Sequence, residues 1–251
     1  MRNLGKLAVL GITALGLALA GPQDNSLVIG ASQEPRVLAG DFLSVISNQA
    51  IKSEIEQYLF APFIGFNADS QNFVAFYFEV GKAKGMPVLN PDFWERVNVR
   101  IKDARNFTLI FEPAYYYDTY GPINTYAPKH IMGPEWERVK AAARGLDPQK
   151  DAEKLNELYR NFFIKFSTPQ ALNRGAMVYS GPFMLRRWVP GNSIEMVRNP
   201  NFPIKPEGGE SKYVQKVVYR FIQNTNSLLV AVIGGSIDAT SSVSLTFDQG
   251  R

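Results

Sequence analysis

Residues 180–202 read SGPFMLRRWVPGNSIEMVRNPNF, two runs of mixed apolar and charged residues on either side of Pro190-Gly191-Asn192. Phe183, Leu185, Arg187 and Val189 alternate with Met184, Arg186 and Trp188. Ile194, Met196 and Arg198 alternate with Glu195 and Val197, again the period of two that marks half-buried strands. Pro190 presets the first central position of a type II turn. Gly191 supplies the second, where φ is positive and a side chain is costly. The stretch is therefore expected to be an antiparallel hairpin.

Working outward from it, Val214 to Ile222 reads as a strand. Asn224-Thr225-Asn226 offers a cap to a helix over 227–233 that Gly234-Gly235 stops, and Ile237 begins a further strand. Upstream, Ser26 to Ala31 is a short apolar run ended by turn formers, and Pro35 pushes Glu34 toward extended backbone. Asp41 to Phe60 carries apolar residues at helical spacing as far as Pro62. Val97, Val99 and Ile101, then Phe107, Leu109 and Phe111, alternate around Asp103-Ala104-Arg105-Asn106 and predict a second hairpin. Asp147-Pro148 reads as a cap followed by proline at the first helical position. Beyond it Leu155, Leu158, Tyr159, Phe162, Phe163 and Phe166 form one apolar stripe, which suits a core or a partner helix. Thr168-Pro169 repeats the cap for a short helix ending at Asn173-Arg174-Gly175. The class is α+β: a sheet with covering helices, and a mixed α/β insert in the middle of the chain.

The chain has 251 residues, a net charge of +4 and dispersed cations, with no basic run interleaved with aromatics, so nucleic acid is not the expected partner. At the N-terminus Arg2 and Lys6 precede an apolar run from Leu7 to Ala20, too short for the roughly 20 residues of a membrane-spanning helix. With Ala18-Leu19-Ala20 as the cleavage site, residues 1–20 are expected to be a secretory signal peptide. The chain has no cysteine, so an exported form carries neither a disulfide nor a lipidated cysteine. His130 is the single histidine, in the proline-bearing stretch Tyr126-Ala127-Pro128-Lys129-His130, which reads as a loop. No two-histidine metal site or thiolate chemistry can be built, and no phosphate-binding loop or nucleophile elbow occurs. Asp147, Asp151 and Glu153 read as acids favouring a helix start. No cofactor, metal or catalytic residue is expected. Tyr115-Tyr116-Tyr117 with Tyr120 suits either a ligand cleft or ordinary packing.

Ser180-Gly181-Pro182-Phe183, Arg187-Trp188-Val189-Pro190-Gly191-Asn192 and Arg198-Asn199-Pro200-Asn201-Phe202 together resemble a signature segment of the periplasmic peptide-binding proteins, the family 5 extracytoplasmic solute-binding subunits of ABC importers. Asn224 to Leu229, Gly234 to Asp238 and Pro128-Lys129-His130-Ile131 are similar to further family segments in the same order. The resemblance implies a periplasmic-binding-protein-like lobe. Residues 26–48 and 176–251 would form a discontinuous first lobe, with 49–175 an inserted subdomain and the hairpin serving as scaffold near the chain's return. It implies a peptide ligand, delivery to membrane permease subunits, and a periplasmic or extracytoplasmic location. On the same resemblance the ligand-facing pieces would be Ser32, Gln33 and Glu34 after the first strand and the turn at Ser180 and Gly181. Tyr116 is a further candidate from the aromatic cluster.

Family members are about twice this length, which implies that the second lobe is absent and the chain truncated, with an internal deletion between Val74 and Phe76. The residues that hold a peptide's amino terminus would belong to that lobe. Ser236 stands where the family usually has glutamate. Two other expectations stay open: an oligosaccharide ligand, with the tyrosines as stacking platforms, and a non-transport module that self-associates through an exposed lobe face.

Overall fold

In a computed structural model of the chain, residues 25–38, 49–60, 70–88, 90–116, 128–205 and 213–241 are described. The signal-peptide expectation and the tyrosines at 117 and 120 lie outside them. The chain forms two compact units: Met1–Glu34 with Phe183–Arg251, and Pro35–Pro182.

The first unit is built on a five-stranded mixed sheet. Its strands are β1 (Ser26–Ala31), β4 (Phe183–Val189), β5 (Ser193–Arg198), β6 (Lys216–Phe221) and β7 (Ala239–Thr240), in the order β4-β5-β6-β1-β7. β4, β5 and β6 pair antiparallel, while β1 runs parallel to β6, Ser26 opposite Lys216 through Ala31 opposite Phe221, and parallel to β7. The predicted turn forms: Asn192 donates its N–H to the Val189 carbonyl at 3.0 Å, and Gly191 takes φ +73°. Strict alternation along β4 does not hold. A bulge between Leu185 and Arg187 changes the parity, so Phe183 and Trp188, an odd number of residues apart, are both buried while Arg186 and Arg187 are exposed. Helix Thr225–Ile233 connects β6 to β7; the Asn224 side chain accepts from the Ser227 N–H, and Leu228 is buried.

In the second unit the described helices are α1 (Ala50–Leu59), α2 (Phe76–Gly81), α3 (Pro91–Arg96), α4 (Lys129–Ala143), α5 (Ala152–Ser167) and α6 (Pro169–Asn173), which makes the helix of the first unit α7. A π-helical stretch, Ser70–Ala75, leads into α2. β2 (Val97–Ile101) and β3 (Phe107–Phe111) form the expected hairpin, with Val99 opposite Leu109; its turn is held by Asp103, whose carboxylate accepts from the Arg105 and Asn106 amides. Two aromatic clusters fill the unit. Trp94 packs with Tyr77, Phe78 and Phe93, and Trp136 with Tyr159 and Phe162. The α5 stripe is core: Leu155, Tyr159, Phe162 and Phe163 are buried.

Two local expectations are corrected. α5 begins at Ala152, after Asp151, and not at Pro148. Asp147 instead closes a turn, its carboxylate accepting from the Gln149 and Lys150 amides and its carbonyl from the Asp151 N–H. A short acid can satisfy amides in a turn as well as at a helix start, and here the turn wins. His130 lies in the first turn of α4, not in a loop, because Pro128 occupies the extended position just before the helix, where a missing N–H costs nothing.

Candidate functional site

Ser32, Gln33 and Glu34 follow β1 in the first unit. Gln33 is exposed, while Ser32 and Glu34 are half-buried. A residue before proline is disfavoured from helical backbone, and the Glu34 carboxylate is divided between two donors of the β4–β5 hairpin. Oε1 accepts from the Trp188 indole N–H at 2.7 Å and Oε2 from the Gly191 amide at 2.8 Å. The buried indole would otherwise carry an unsatisfied N–H, so the pair fixes both the ring and the turn. Neither oxygen of Glu34 is left without a donor. This contact was invisible in sequence, since nothing local to Glu34 points to a tryptophan 154 residues away.

Ser180, Gly181 and Tyr116 belong to the second unit. Gly181 is buried and donates its N–H to the Leu59 carbonyl at 2.9 Å. A Cβ there would stand 2.5 Å from the Tyr58 carbonyl oxygen and 2.7 Å from the Phe60 nitrogen, so only glycine lets the two chains approach. Tyr116 is 87% exposed. Its neighbour Tyr115 lies under the Arg96 guanidinium, 4.3 Å from the ring centroid, and Arg96 also bonds Asp92 at 2.9 Å and the Pro113 carbonyl at 2.7 Å. The structure thus keeps Ser32–Glu34 together and Ser180–Gly181 together, with Tyr116 on a separate segment of its unit.

Among the described residues no group of three His, Asp or Glu side chains is placed to hold a metal ion. His130 is exposed and meets the Phe73 ring edge-on at 6.0 Å. Among the described residues each carboxylate with a displaced pKa is displaced downward. Lys165 holds Glu135 low, and amide and side-chain donors do the same for Asp103, Asp147 and Asp151. Burial raises the Tyr159 and Tyr179 hydroxyls. None of these four carboxylates is raised toward neutrality, where a carboxylic general acid is tuned. The arrangement offers backbone turns and a few exposed polar groups, which suits binding.

The family described as bacterial extracellular solute-binding proteins, family 5 middle, matches residues 67–249. The chain is similar to the oligopeptide-binding protein of Thermus thermophilus, solved with a pentapeptide, at 79% identity and a TM-score of 0.86, over 92% of this chain and 47% of that one. The oligopeptide-binding protein AppA of Bacillus subtilis, with a nonapeptide, aligns at 16% identity and a TM-score of 0.56, over 87% of this chain and 44% of that one. NikZ of Campylobacter jejuni, with Ni(L-His), gives 12% identity and 0.52, over 87% and 43%. At such identity the last two show the fold alone. The chain thus spans about half the length of these relatives. No curated protein matches it.

Proposed function

The chain belongs to the family 5 bacterial extracellular solute-binding proteins, and from that premise we propose that it forms part of an extracytoplasmic subunit that captures peptides and hands them to the permease of an ABC importer. The observation that carries this reading is the 79% identity, over nearly the whole chain, to a protein solved with a bound pentapeptide. In this reading residues 1–20 direct export. Residues 26–48 and 176–251 build a discontinuous first lobe, of which 26–34 and 183–251 fall in the first compact unit, and 49–175 form the insertion. Ser32, Gln33 and Ser180 present backbone and short side chains to ligand, and Tyr116 offers an exposed ring. Glu34 and Gly181 hold the turns that carry them. The protein binds and releases; it runs no reaction.

Native mass spectrometry with a mixed peptide pool tests this. The 251-residue chain is compared with a chimera in which the remaining length of the Thermus relative is joined to it. The chimera is expected to carry added peptide mass, and the chain alone none. A chimera that ignores peptides but retains cello-oligosaccharides would replace the peptide reading with the oligosaccharide one. Peptide adducts on the chain alone would place the whole capture site in this half.

A further inference from the structure

Wholly within the second unit, the C-terminal half of α4, the first turn of α5 and the loop after α2 surround an open-mouthed cavity of about 290 Å³. That is the lower end of the range that takes small organic ligands. Its wall is apolar, formed by Trp136, Val139, Leu155 and the ring of Tyr159, all buried. The Tyr159 hydroxyl is already spent, donating to the Lys84 carbonyl at 2.8 Å.

The rim is charged, and most of that charge is matched in place. Glu79 accepts from the Trp136 indole at 3.0 Å and from Lys140 at 2.7 Å, and Lys140 also pairs with Glu137 at 2.7 Å. Lys84 lies near enough to Asp147 to lower its pKa. Arg144, on the same rim, has no ion pair among the described residues. The result is a hollow with apolar walls and one uncompensated guanidinium at its edge.

We propose that this cavity binds a small amphipathic monocarboxylate, its aliphatic body against Val139, Leu155 and Trp136 and its carboxylate on the Arg144 fork, which matches that group with two parallel donors. A zwitterion would set an ammonium against a rim already supplied with cations. The site is independent of peptide capture, since its lining includes none of the residues assigned to that role.

The test is a tryptophan-fluorescence and calorimetric titration of the folded chain with octanoate, and with octan-1-ol, which has the same chain length and no charge. Octanoate should saturate with Kd on the order of 0.1–1 mM, as expected of a ligand of about ten heavy atoms. Arg144→Ala should weaken octanoate about fivefold or more and leave octan-1-ol unchanged. Ala143→Trp, a half-buried lining position whose indole would fill the mouth, should abolish both. The proposal is overturned if the wild-type chain shows no saturable binding, if octan-1-ol binds as tightly as octanoate and Arg144→Ala changes neither, or if Ala143→Trp binds octanoate undiminished.

Discussion

The carboxylate of Glu34 receives two hydrogen bonds from a hairpin that begins about 150 residues downstream, one from a buried indole and one from the glycine of a tight turn. Hydrogen bonds to an ionised group are worth more than neutral ones, so Glu34→Ala is expected to cost about 2 kcal/mol in urea denaturation and to change the Trp188 emission. Glu34→Gln, which keeps one acceptor, should cost about half as much. Gly181→Ala is a harsher change, because the new methyl meets backbone that has no room to move. A loss of about 3 kcal/mol or more is expected, and an unaltered melting temperature would show that the 58–60 segment yields. At this scale local chemistry was legible and distant chemistry was not. Pro190-Gly191 announces its turn because both residues act on their own backbone. Glu34 does not announce Trp188, because their contact depends on β1 and β4 both being in place.

Elements with a clear period were readable for the same reason. The α5 stripe, both hairpins and the caps at Thr168 and Asn224 all appear, the caps accepting from Ala171 and Ser227 as their types favour. Asn224→Ala and Thr168→Ala should each cost about 1 kcal/mol in denaturant titrations. Phe163→Ala, at a fully buried position of α5, should cost about 3–5 kcal/mol because a cavity remains. The start of α5 and the facing of β4 were not readable. Asp147 can close a turn or open a helix with the same side chain, and the bulge after Leu185 needs the partner strand to define it. The turn at Ser180-Gly181 was visible as a turn, but the close approach of Gly181 to Leu59 was not, since nothing in either segment names the other.

Over the whole molecule, charge and burial set a pH window. Glu135, Asp147 and Asp151 have folded-state pKa values below the ordinary 4.5 and 3.8. Their contribution is complete above those ordinary values and is lost as pH falls through the lower folded ones. Lys140 and Lys154 are raised above 10.5 by carboxylate partners, so theirs is complete below that value and is lost as pH rises through the folded ones. Thermal melts should therefore show a plateau from about pH 5 to 9, falling on both sides, and Glu135→Gln should flatten part of the acid limb; a melting temperature that climbs below pH 4 would contradict this. The lysine partners are exposed, so added salt should screen these pairs and lower the plateau slightly. In the first unit Val230 and Ile233 of α7 are 69% and 85% exposed. Ile233→Ser should leave stability within about 0.5 kcal/mol by denaturant titration.

The order of strands carries a consequence in time. β1 lies inside the sheet, yet its hydrogen-bonding partner β6 begins 190 residues later, Ser26 opposite Lys216. At the usual pace of synthesis that gap lasts roughly 10–40 s. During it Ser-Leu-Val-Ile-Gly-Ala leaves the ribosome with both backbone edges open, while the second unit, contiguous from 35 to 182, can close upon itself. The first strand made is among the last to be paired, and a nascent chain halted before residue 216 should expose it to any chaperone that reads short apolar strands.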